Sequence, residues 1–193
     1  ICACLVGSEM CIETAYQKAS YEAQHDGLTD LWSKSAGREQ IENYFAHMQE
    51  GDQAVLIFVD IDDFKQINDT YGHKVGDFWI REVAQTLKRL YRHDDIIVRF
   101  GGDEYVALIK NTANERVIES TLDLFRRQLA QASAQYGQDV HCSIGACRVL
   151  SGKNVDLNLC LGFADHALYP VSYTHLRAHA TCADLVCRLL LEK

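Results

Sequence analysis

The order of apolar and polar residues along the chain predicts four strands in a mixed arrangement of helices and strands. Residues 54–60 form a continuous apolar run that ends in a carboxylate, which is typical of a central strand buried on both faces. Two shorter apolar runs, 96–100 and 105–109, enclose a Gly-Gly-Asp-Glu segment and predict a β-hairpin. Residues 140–149 predict a further strand.

Apolar residues at helical spacing predict helices between these strands. The predicted helices cover about 33–49, 76–91, 114–135 and 157–169, and Ser33 or Ser35 would cap the first. Residues 61–75 are expected to form a polar loop, and 13–25 the end of a linker helix from an upstream region. This order of elements predicts an α+β fold in which one mostly antiparallel central sheet is flanked by helices.

Charge and hydropathy narrow the classes of function. The 193 residues include 27 acidic and 19 basic side chains, a formal net charge of −8. A general binder of nucleic-acid phosphates carries basic excess, so no nucleic-acid partner is expected. No apolar run approaches the roughly 18 residues of a membrane span, so no membrane contact is expected for this fragment.

The cysteines are concentrated at the two ends of the chain. Of eight cysteines, five lie close to the termini: Cys2, Cys4, Cys11, Cys182 and Cys187. Residues 1–12 and 170–193 resemble translated adapter sequence, so they are expected to be a non-native leader and tail. A genuine pair of unusual tails is the alternative. The three remaining cysteines suit a reduced cytoplasm, and neither a disulfide framework nor a zinc site is favoured.

Three carboxylates are candidate metal ligands. Asp60 ends the first strand, whereas Asp103 and Glu104 lie at the hairpin tip. If the hairpin pairs beside that strand, the three converge at one edge of the sheet. Mg²⁺ prefers oxygen ligands, often carboxylates together with phosphate oxygens. Gly101 and Gly102 would let a bulky ligand approach the backbone. An ordinary turn with solvated acids is the alternative.

Several spaced segments resemble the GGDEF domain of diguanylate cyclases. They are VDIDDFKQINDTYGHKVGD at 59–77, RFGGDEYVAL at 99–108, the Asp-x-Leu-Thr turn at 26–29, Ser-Ile-Gly at 143–145 and ADHALY at 164–169. The resemblance covers about residues 24–169 and implies a GGDEF catalytic domain over 26–169. It also implies a nucleotidyl-cyclase-like fold, similar to the ferredoxin-type sheet of polymerase palm domains.

The resemblance implies a reaction as well as a fold. Two GTP would condense into cyclic di-GMP with release of two pyrophosphates, each 3′-hydroxyl attacking the α-phosphate of the other GTP. Since one domain binds one GTP, a homodimer is expected for catalysis. The cofactor would be Mg²⁺ or Mn²⁺, and the location cytoplasmic.

Roles transfer residue by residue at the matching positions. The metal would be held by the carboxylates of Asp60, Asp103 and Glu104 and by the carbonyl of Ile61, with Asp103 and Glu104 as the catalytic acids. The remaining matching positions would bind GTP. They are Asp63, Phe64 and Lys65 at the phosphates through their backbone amides, Asn68 and Asp77 at the guanine edge, and His73, Gly101 and Gly102 near the substrate. For His73, an ordinary loop histidine is an equal alternative.

A second site is implied by Arg92-His-Asp-Asp95, which stands where the family has an inhibitory Arg-x-x-Asp motif. Arg92 would bind product phosphate and the Hoogsteen edge of guanine, and Asp95 would accept a hydrogen bond from guanine. This implies inhibition by the product. A solvated salt bridge at a helix end is the alternative.

The sequence departs from the family pattern at three places. Tyr105 replaces phenylalanine in the signature, and Ser33-Lys34 replaces Asn-Arg. From Pro170 onward, the family's lysine-bearing segment and final strand are replaced. Two alternatives therefore stay open: a catalytically impaired GGDEF module that binds GTP or cyclic di-GMP as a sensor, and an unrelated nucleotide-binding α+β domain.

Overall fold

A computed structural model describes residues 16–112, 114–151 and 155–166. Residues 16–24 are helical and are called α1. The elements that follow are α2 (Lys34–His47), β1 (Gln53–Ile61), α3 (Phe64–Tyr71), α4 (His73–Leu90), β2 (Ile96–Arg99), β3 (Glu104–Lys110), α5 (Glu115–Tyr136), β4 (Cys142–Leu150) and α6 (Leu157–His166). The predicted leader and tail, with 13–15 and 167–169, lie outside the described residues.

The four strands form one antiparallel sheet in the order β2-β3-β1-β4. Strand β1 is central, and its Phe58 lies opposite Val106 of β3 on one side and Gly145 of β4 on the other. Strands β2 and β3 pair as the predicted hairpin. The predicted α+β fold with an antiparallel central sheet is confirmed.

Successive residues of β1 enter two separate hydrophobic clusters, because side chains of a strand alternate between its two faces. One face carries Val55, Ile57 and Val59, which belong to a cluster with residues of α4 and α5, including Trp79, Val83, Leu122 and Phe125. The other face carries Ala54, Leu56 and Phe58, which belong to a cluster with residues of α2 and α6, including Ile41, Phe45, Cys160 and Ala164. Burial on both faces explains the unbroken apolar run of this strand.

The predicted polar loop at 61–75 is wrong, because most of it is helical. Helix α3 occupies Phe64–Tyr71, and α4 begins at His73 instead of residue 76. Gly72, with φ of +85°, separates the two helices. Only Ile67 of α3 is buried, so the apolar signal of this helix is weak. Phe64, Ile67 and Tyr71 nevertheless have the i, i+3, i+7 spacing of a helical face.

Helix α2 is capped by Ser33, one of the two serines that the sequence offered as its N-cap. The Ser33 hydroxyl accepts a hydrogen bond from the Ala36 amide, which is the geometry of an N-cap. One turn into the helix, Gly37 packs directly on the side chain of Val98 in β2. The close approach of α2 to the sheet therefore depends on the missing side chain at this position.

Two further observations concern membranes and disulfides. Within the described ranges, no helix combines the length and the apolarity needed to cross a bilayer. The three cysteines in those ranges, Cys142, Cys147 and Cys160, form no disulfide.

We expect Gly37→Ala to destabilise the protein by about 1 kcal/mol or more. A Cβ at this position would overlap the fully buried Val98 side chain, which outweighs the roughly 1 kcal/mol that alanine gains over glycine in a helix. Gly27→Ala is the matched control, since a Cβ there meets nothing within 4 Å. Urea unfolding of both variants measures the difference, and equal midpoints would contradict the packing argument.

Candidate functional site

The three candidate carboxylates lie at the same end of the sheet. Asp60, near the end of β1, is directly opposite Glu104, the first residue of β3. The amide of Ile61 donates to the carbonyl of Asp103 at 3.3 Å, which ties the hairpin loop to the end of β1. Antiparallel pairing of β1 with β3 therefore brings the acids of the two sequence segments together.

Negative charge is concentrated around Asp60. Burial and, after it, the neighbouring charges of Asp103, Glu104, Asp62 and Asp165 together raise the pKa of this carboxyl to about 6. Among the described residues, no lysine, arginine or histidine forms an ion pair with Asp60. The cluster thus holds like charges that no basic side chain of the described ranges pairs with.

These residues fit a divalent cation in their chemistry. In the part of the chain that the structure describes, no three His, Cys, Asp or Glu side chains meet closely enough to hold a metal ion by themselves. The donors are carboxylate and carbonyl oxygens, which Mg²⁺ and Mn²⁺ prefer, and Mg²⁺ usually completes its shell with water and substrate phosphates.

The two glycines of the hairpin loop have different surroundings. A Cβ on Gly101 would collide with a carboxylate oxygen of Glu104, so the Glu104 side chain lies across this glycine. A Cβ on Gly102 would meet nothing within 4 Å. Gly101 therefore makes room for an acid of the site, whereas the space beside Gly102 is open.

Arg99 fixes the loop that carries Asp103. Its Nε and Nη2 donate to the Gly102 carbonyl at 3.2 and 2.7 Å. Its Nη1 donates to both carboxylate oxygens of Asp26 at 3.0 and 3.1 Å. One guanidinium thus joins the acidic loop to the start of the domain.

The carboxylate of Asp26 is itself held by the turn that follows it. Its Oδ1 accepts hydrogen bonds from the amides of Leu28 and Thr29 and from the Thr29 hydroxyl. Partial burial raises the pKa of Asp26, but the hydrogen bonds from Thr29 and Arg99 and the charge of Arg99 outweigh it, so the net shift is downward. Asp26 is therefore an ionised anchor for Arg99.

The segment after β1 presents backbone amides. Asp63 has the left-handed φ of +52° and precedes α3. Its carbonyl accepts the amides of Gln66 and Ile67, so the first amides of the helix, at Phe64 and Lys65, have no acceptor within the helix. Helix N-termini of this kind attract anions, and the predicted phosphate contacts fall on these residues.

The two predicted guanine-reading residues lie on either side of the α3–α4 junction, Asn68 on α3 and Asp77 on α4. A Cβ on Gly76 would collide with the Asn68 side-chain oxygen, so this amide packs against the residue preceding Asp77. Asp77 is half-buried on α4, whereas His73 is exposed at the first position of that helix. The structure thus places the Asn68 side chain against Gly76, the residue before Asp77.

The predicted inhibitory motif lies at the other end of β2. Asp95 is 8% exposed, and its carboxylate accepts the amides of Arg92 at 2.9 Å and Lys110 at 3.0 Å. Asp95 therefore holds the turn that presents Arg92. The exposed Arg92 lines a cleft of about 400 Å³, separate from the carboxylate cluster.

Sequence reasoning missed three residues of the carboxylate site. Arg99, Asp62 and Asp165 were given no role, although Arg99 holds the loop and both acids act electrostatically on Asp60. Asp62 is fixed by the Ser143 hydroxyl at 2.5 Å. The one available signal for Arg99 is a charged residue that ends an apolar strand just before a glycine pair.

The antiparallel α+β sheet, with acids at the loop of its hairpin, is the fold of a nucleotidyl-cyclase-like domain. More narrowly, residues 23–177 match the family described as "Diguanylate cyclase, GGDEF domain", and the chain belongs to that family. The resemblance predicted from the sequence motifs is confirmed.

Relatives and a solved structure agree with this assignment. The diguanylate cyclase DgcS of Shewanella oneidensis is 30% identical over 161 residues, 80% of this chain and 51% of that protein. The probable diguanylate cyclase DgcC of Escherichia coli is 30% identical over 182 residues, 89% and 44% of the two chains. The chain thus spans about half the length of these curated relatives.

The crystal structure of the coiled coil and GGDEF domain of DgcB from Caulobacter crescentus, in complex with c-di-GMP, superimposes with a TM-score of 0.76. It is 26% identical and covers 86% of this chain and 90% of that one.

The departure from the family pattern at Tyr105 is accommodated, since this side chain is fully buried and its hydroxyl donates to the Ile80 carbonyl at 2.8 Å.

We expect Asp60→Asn to stabilise the metal-free protein above pH 6. The pKa of Asp60 is about 6 in the folded protein and about 3.9 in an unfolded chain. The folded state therefore binds more protons between these values, and the parent loses stability as the pH rises through them. Asparagine removes this loss, so the advantage of the variant should shrink as the pH falls from 6 toward 4.

Thermal unfolding in EDTA across this pH range measures the effect. Asp69→Asn, at an exposed position of α3, is the matched control and should track the parent. A pH-independent difference between Asp60→Asn and the parent would contradict the proposed crowding of charge.

Proposed function

We propose that this GGDEF domain condenses two GTP into cyclic di-GMP and releases two pyrophosphates in the cytoplasm. The observation that carries the proposal is the cluster of Asp60, Asp103 and Glu104 at one end of the sheet, where burial and the neighbouring charges raise the pKa of Asp60 to about 6. Family membership and the naming of DgcS as a diguanylate cyclase support it.

The carboxylates of Asp60, Asp103 and Glu104, with the Ile61 carbonyl, would hold Mg²⁺ or Mn²⁺. Such an ion supplies charge neutralisation at the α-phosphate and the leaving pyrophosphate. The chain's own part is to fix the acids: Arg99 holds the Gly102 carbonyl, and the Ile61 amide holds the Asp103 carbonyl. Asp103, within this fixed loop, is the residue to which we assign acceptance of the 3′-hydroxyl proton.

The nucleotide would lie between the carboxylate cluster and α3. The amides of Asp63, Phe64 and Lys65 would cradle the phosphates. Asn68 and Asp77 would read guanine, since a carboxylate accepts from the ring N–H and the exocyclic amine that adenine cannot offer in this pattern. The packing of Asn68 against Gly76, beside Asp77, supports this assignment.

The reaction would require a homodimer. One domain carries one such nucleotide site, whereas each 3′-hydroxyl must attack the α-phosphate of a second GTP. Two copies facing each other would supply both substrates in one geometry, so that positioning provides much of the rate enhancement.

Product inhibition would act at the Arg92 cleft. Arg92 is exposed beside a turn that Asp95 holds through two amides, and a guanidinium fork suits phosphate and the Hoogsteen edge of guanine. The c-di-GMP complex of DgcB supports product binding to a related domain.

We expect the protein to convert GTP to cyclic di-GMP with Mg²⁺, and Asp103→Asn to lower kcat by at least about 100-fold. The asparagine keeps the shape of the loop but can neither hold the metal charge nor accept a proton. Asp94→Asn, at an exposed position, is the control. Chromatography of the products decides: no product from the parent at high concentration, with cyclic di-GMP still bound, would favour the sensor alternative.

We expect Arg92→Ala to weaken binding of cyclic di-GMP by about 10-fold or more, because charge-assisted forked hydrogen bonds are lost. Arg81→Ala, an exposed arginine of α4, removes the same charge elsewhere and should bind normally. Calorimetric titration measures both affinities. Equal binding by Arg92→Ala and the parent would contradict the product site.

A further inference from the structure

The cleft beside Arg92 has one wall from the linker helix. Lys88, Tyr91 and Arg92 line it from the end of α4 and the following turn. Tyr21 and His25 line it from α1 and the residue that follows α1. A ligand held at Arg92 would therefore lie next to a helix that leads away from the domain.

Asp30 joins these two walls. Its Oδ1 accepts the Tyr21 hydroxyl at 2.6 Å, and its Oδ2 accepts Lys88 Nζ at 3.0 Å. The Asp30 carbonyl also accepts Lys88 Nζ at 2.6 Å. We call these contacts of Asp30 with Tyr21 and Lys88 the Asp30 clasp. The pKa of Asp30 is lowered, first by the Tyr21 hydrogen bond and then by Lys88, so the clasp is made by an ionised carboxylate.

The backbone of Asp30 is unfavourable for most side chains. Its φ is +56°, in the left-handed region that glycine adopts readily and other residues rarely. Aspartate tolerates this conformation better than most residues, yet glycine would relieve it completely. The carboxylate is thus present at a strained position, and its visible role there is to hold Tyr21 and Lys88.

A stack of three rings reinforces the contact of α1 with the domain. The rings of Tyr21 and His25 lie 3.9 Å apart at 13°, and those of His25 and Trp32 lie 4.6 Å apart at 26°. The backbone of Trp32 is fixed to β2, since its amide donates to Ile97 and its carbonyl accepts the amide of Arg99. The ring stack therefore links α1, through Trp32, to strand β2 of the sheet.

The chemistry of the cleft suits a ligand that carries both phosphate and planar bases. Arg92 is cationic, Lys88 is cationic but paired with Asp30, which also lines the cleft, and Trp32 and the Tyr21–His25 pair offer aromatic surface. These side chains extend the lining of the cleft beyond the Arg92–Asp95 turn.

We propose that α1 is a regulatory wall of the product site. The Asp30 clasp holds α1 and Lys88 in the arrangement that binds cyclic di-GMP, and bound cyclic di-GMP in turn holds α1 against the domain. This inference rests on the proposed function. Linkage makes this coupling reciprocal: if bound cyclic di-GMP favours the docked position of α1 by a given factor, then displacing α1 weakens cyclic di-GMP binding by the same factor.

Two variants test the clasp. Tyr21→Phe keeps the ring stack and removes the hydrogen bond to Asp30, and Asp30→Gly removes the carboxylate at a position whose φ suits glycine. Both should weaken cyclic di-GMP binding by about 3- to 10-fold in calorimetric titration of the full chain. Tyr16→Phe, on the same helix and 72% exposed, is the matched control and should bind as the parent does.

Hydrogen exchange gives an independent measurement. Cyclic di-GMP should slow exchange of the α1 amides in the parent but not in Arg92→Ala. The inference is wrong if Arg92→Ala weakens binding but neither clasp variant does, or if bound cyclic di-GMP leaves exchange of the α1 amides unchanged. Either result would still be consistent with a product site at Arg92. If the parent does not bind cyclic di-GMP, both the product site and this inference are wrong, whereas the turnover assay still tests the cyclase separately.

Discussion

Strand β1 must bury both faces and both edges, and this requirement organises the rest of the molecule. Its side chains enter two hydrophobic clusters, and its backbone pairs with β3 and β4. An ionised group cannot be placed along such a strand without a large desolvation cost. Polar chemistry is therefore restricted to the place where β1 leaves the core. Asp60 occupies that place, and the raised pKa of its carboxyl shows that even there solvation is incomplete.

The loop that faces Asp60 needs support from outside the sheet. Asp103 precedes the first paired residue of β3, so the ladder alone does not fix it. Arg99 supplies the support by bonding the Gly102 carbonyl on one side and the Asp26 carboxylate on the other. Hydrogen bonds between charged groups are stronger than neutral ones, and this pair is also partly buried. The first turn of the domain is thus part of the machinery that positions the acidic loop.

The strands and the hairpin could be predicted from the sequence because they depend on local patterns of apolar residues. Side-chain contacts between residues far apart along the chain could not. The buried strand and the hairpin follow from apolar runs, and their adjacency brings Asp60 and Glu104 together. Helix α3 was missed because it buries a single residue, Ile67. The roles of Arg99 and Asp30 were missed for another reason: their partners Asp26 and Lys88 lie 73 and 58 residues away along the chain. No spacing rule connects residues so far apart.

The two candidate sites lie at opposite ends of β2, and Trp32 connects the elements that serve them. Its ring carries the stack that docks α1, and its backbone is bonded to Ile97 and Arg99. Arg99 is the residue that holds the acidic loop. Trp32 therefore contacts both the helix that lines the Arg92 cleft and the backbone of the residue that holds the acidic loop.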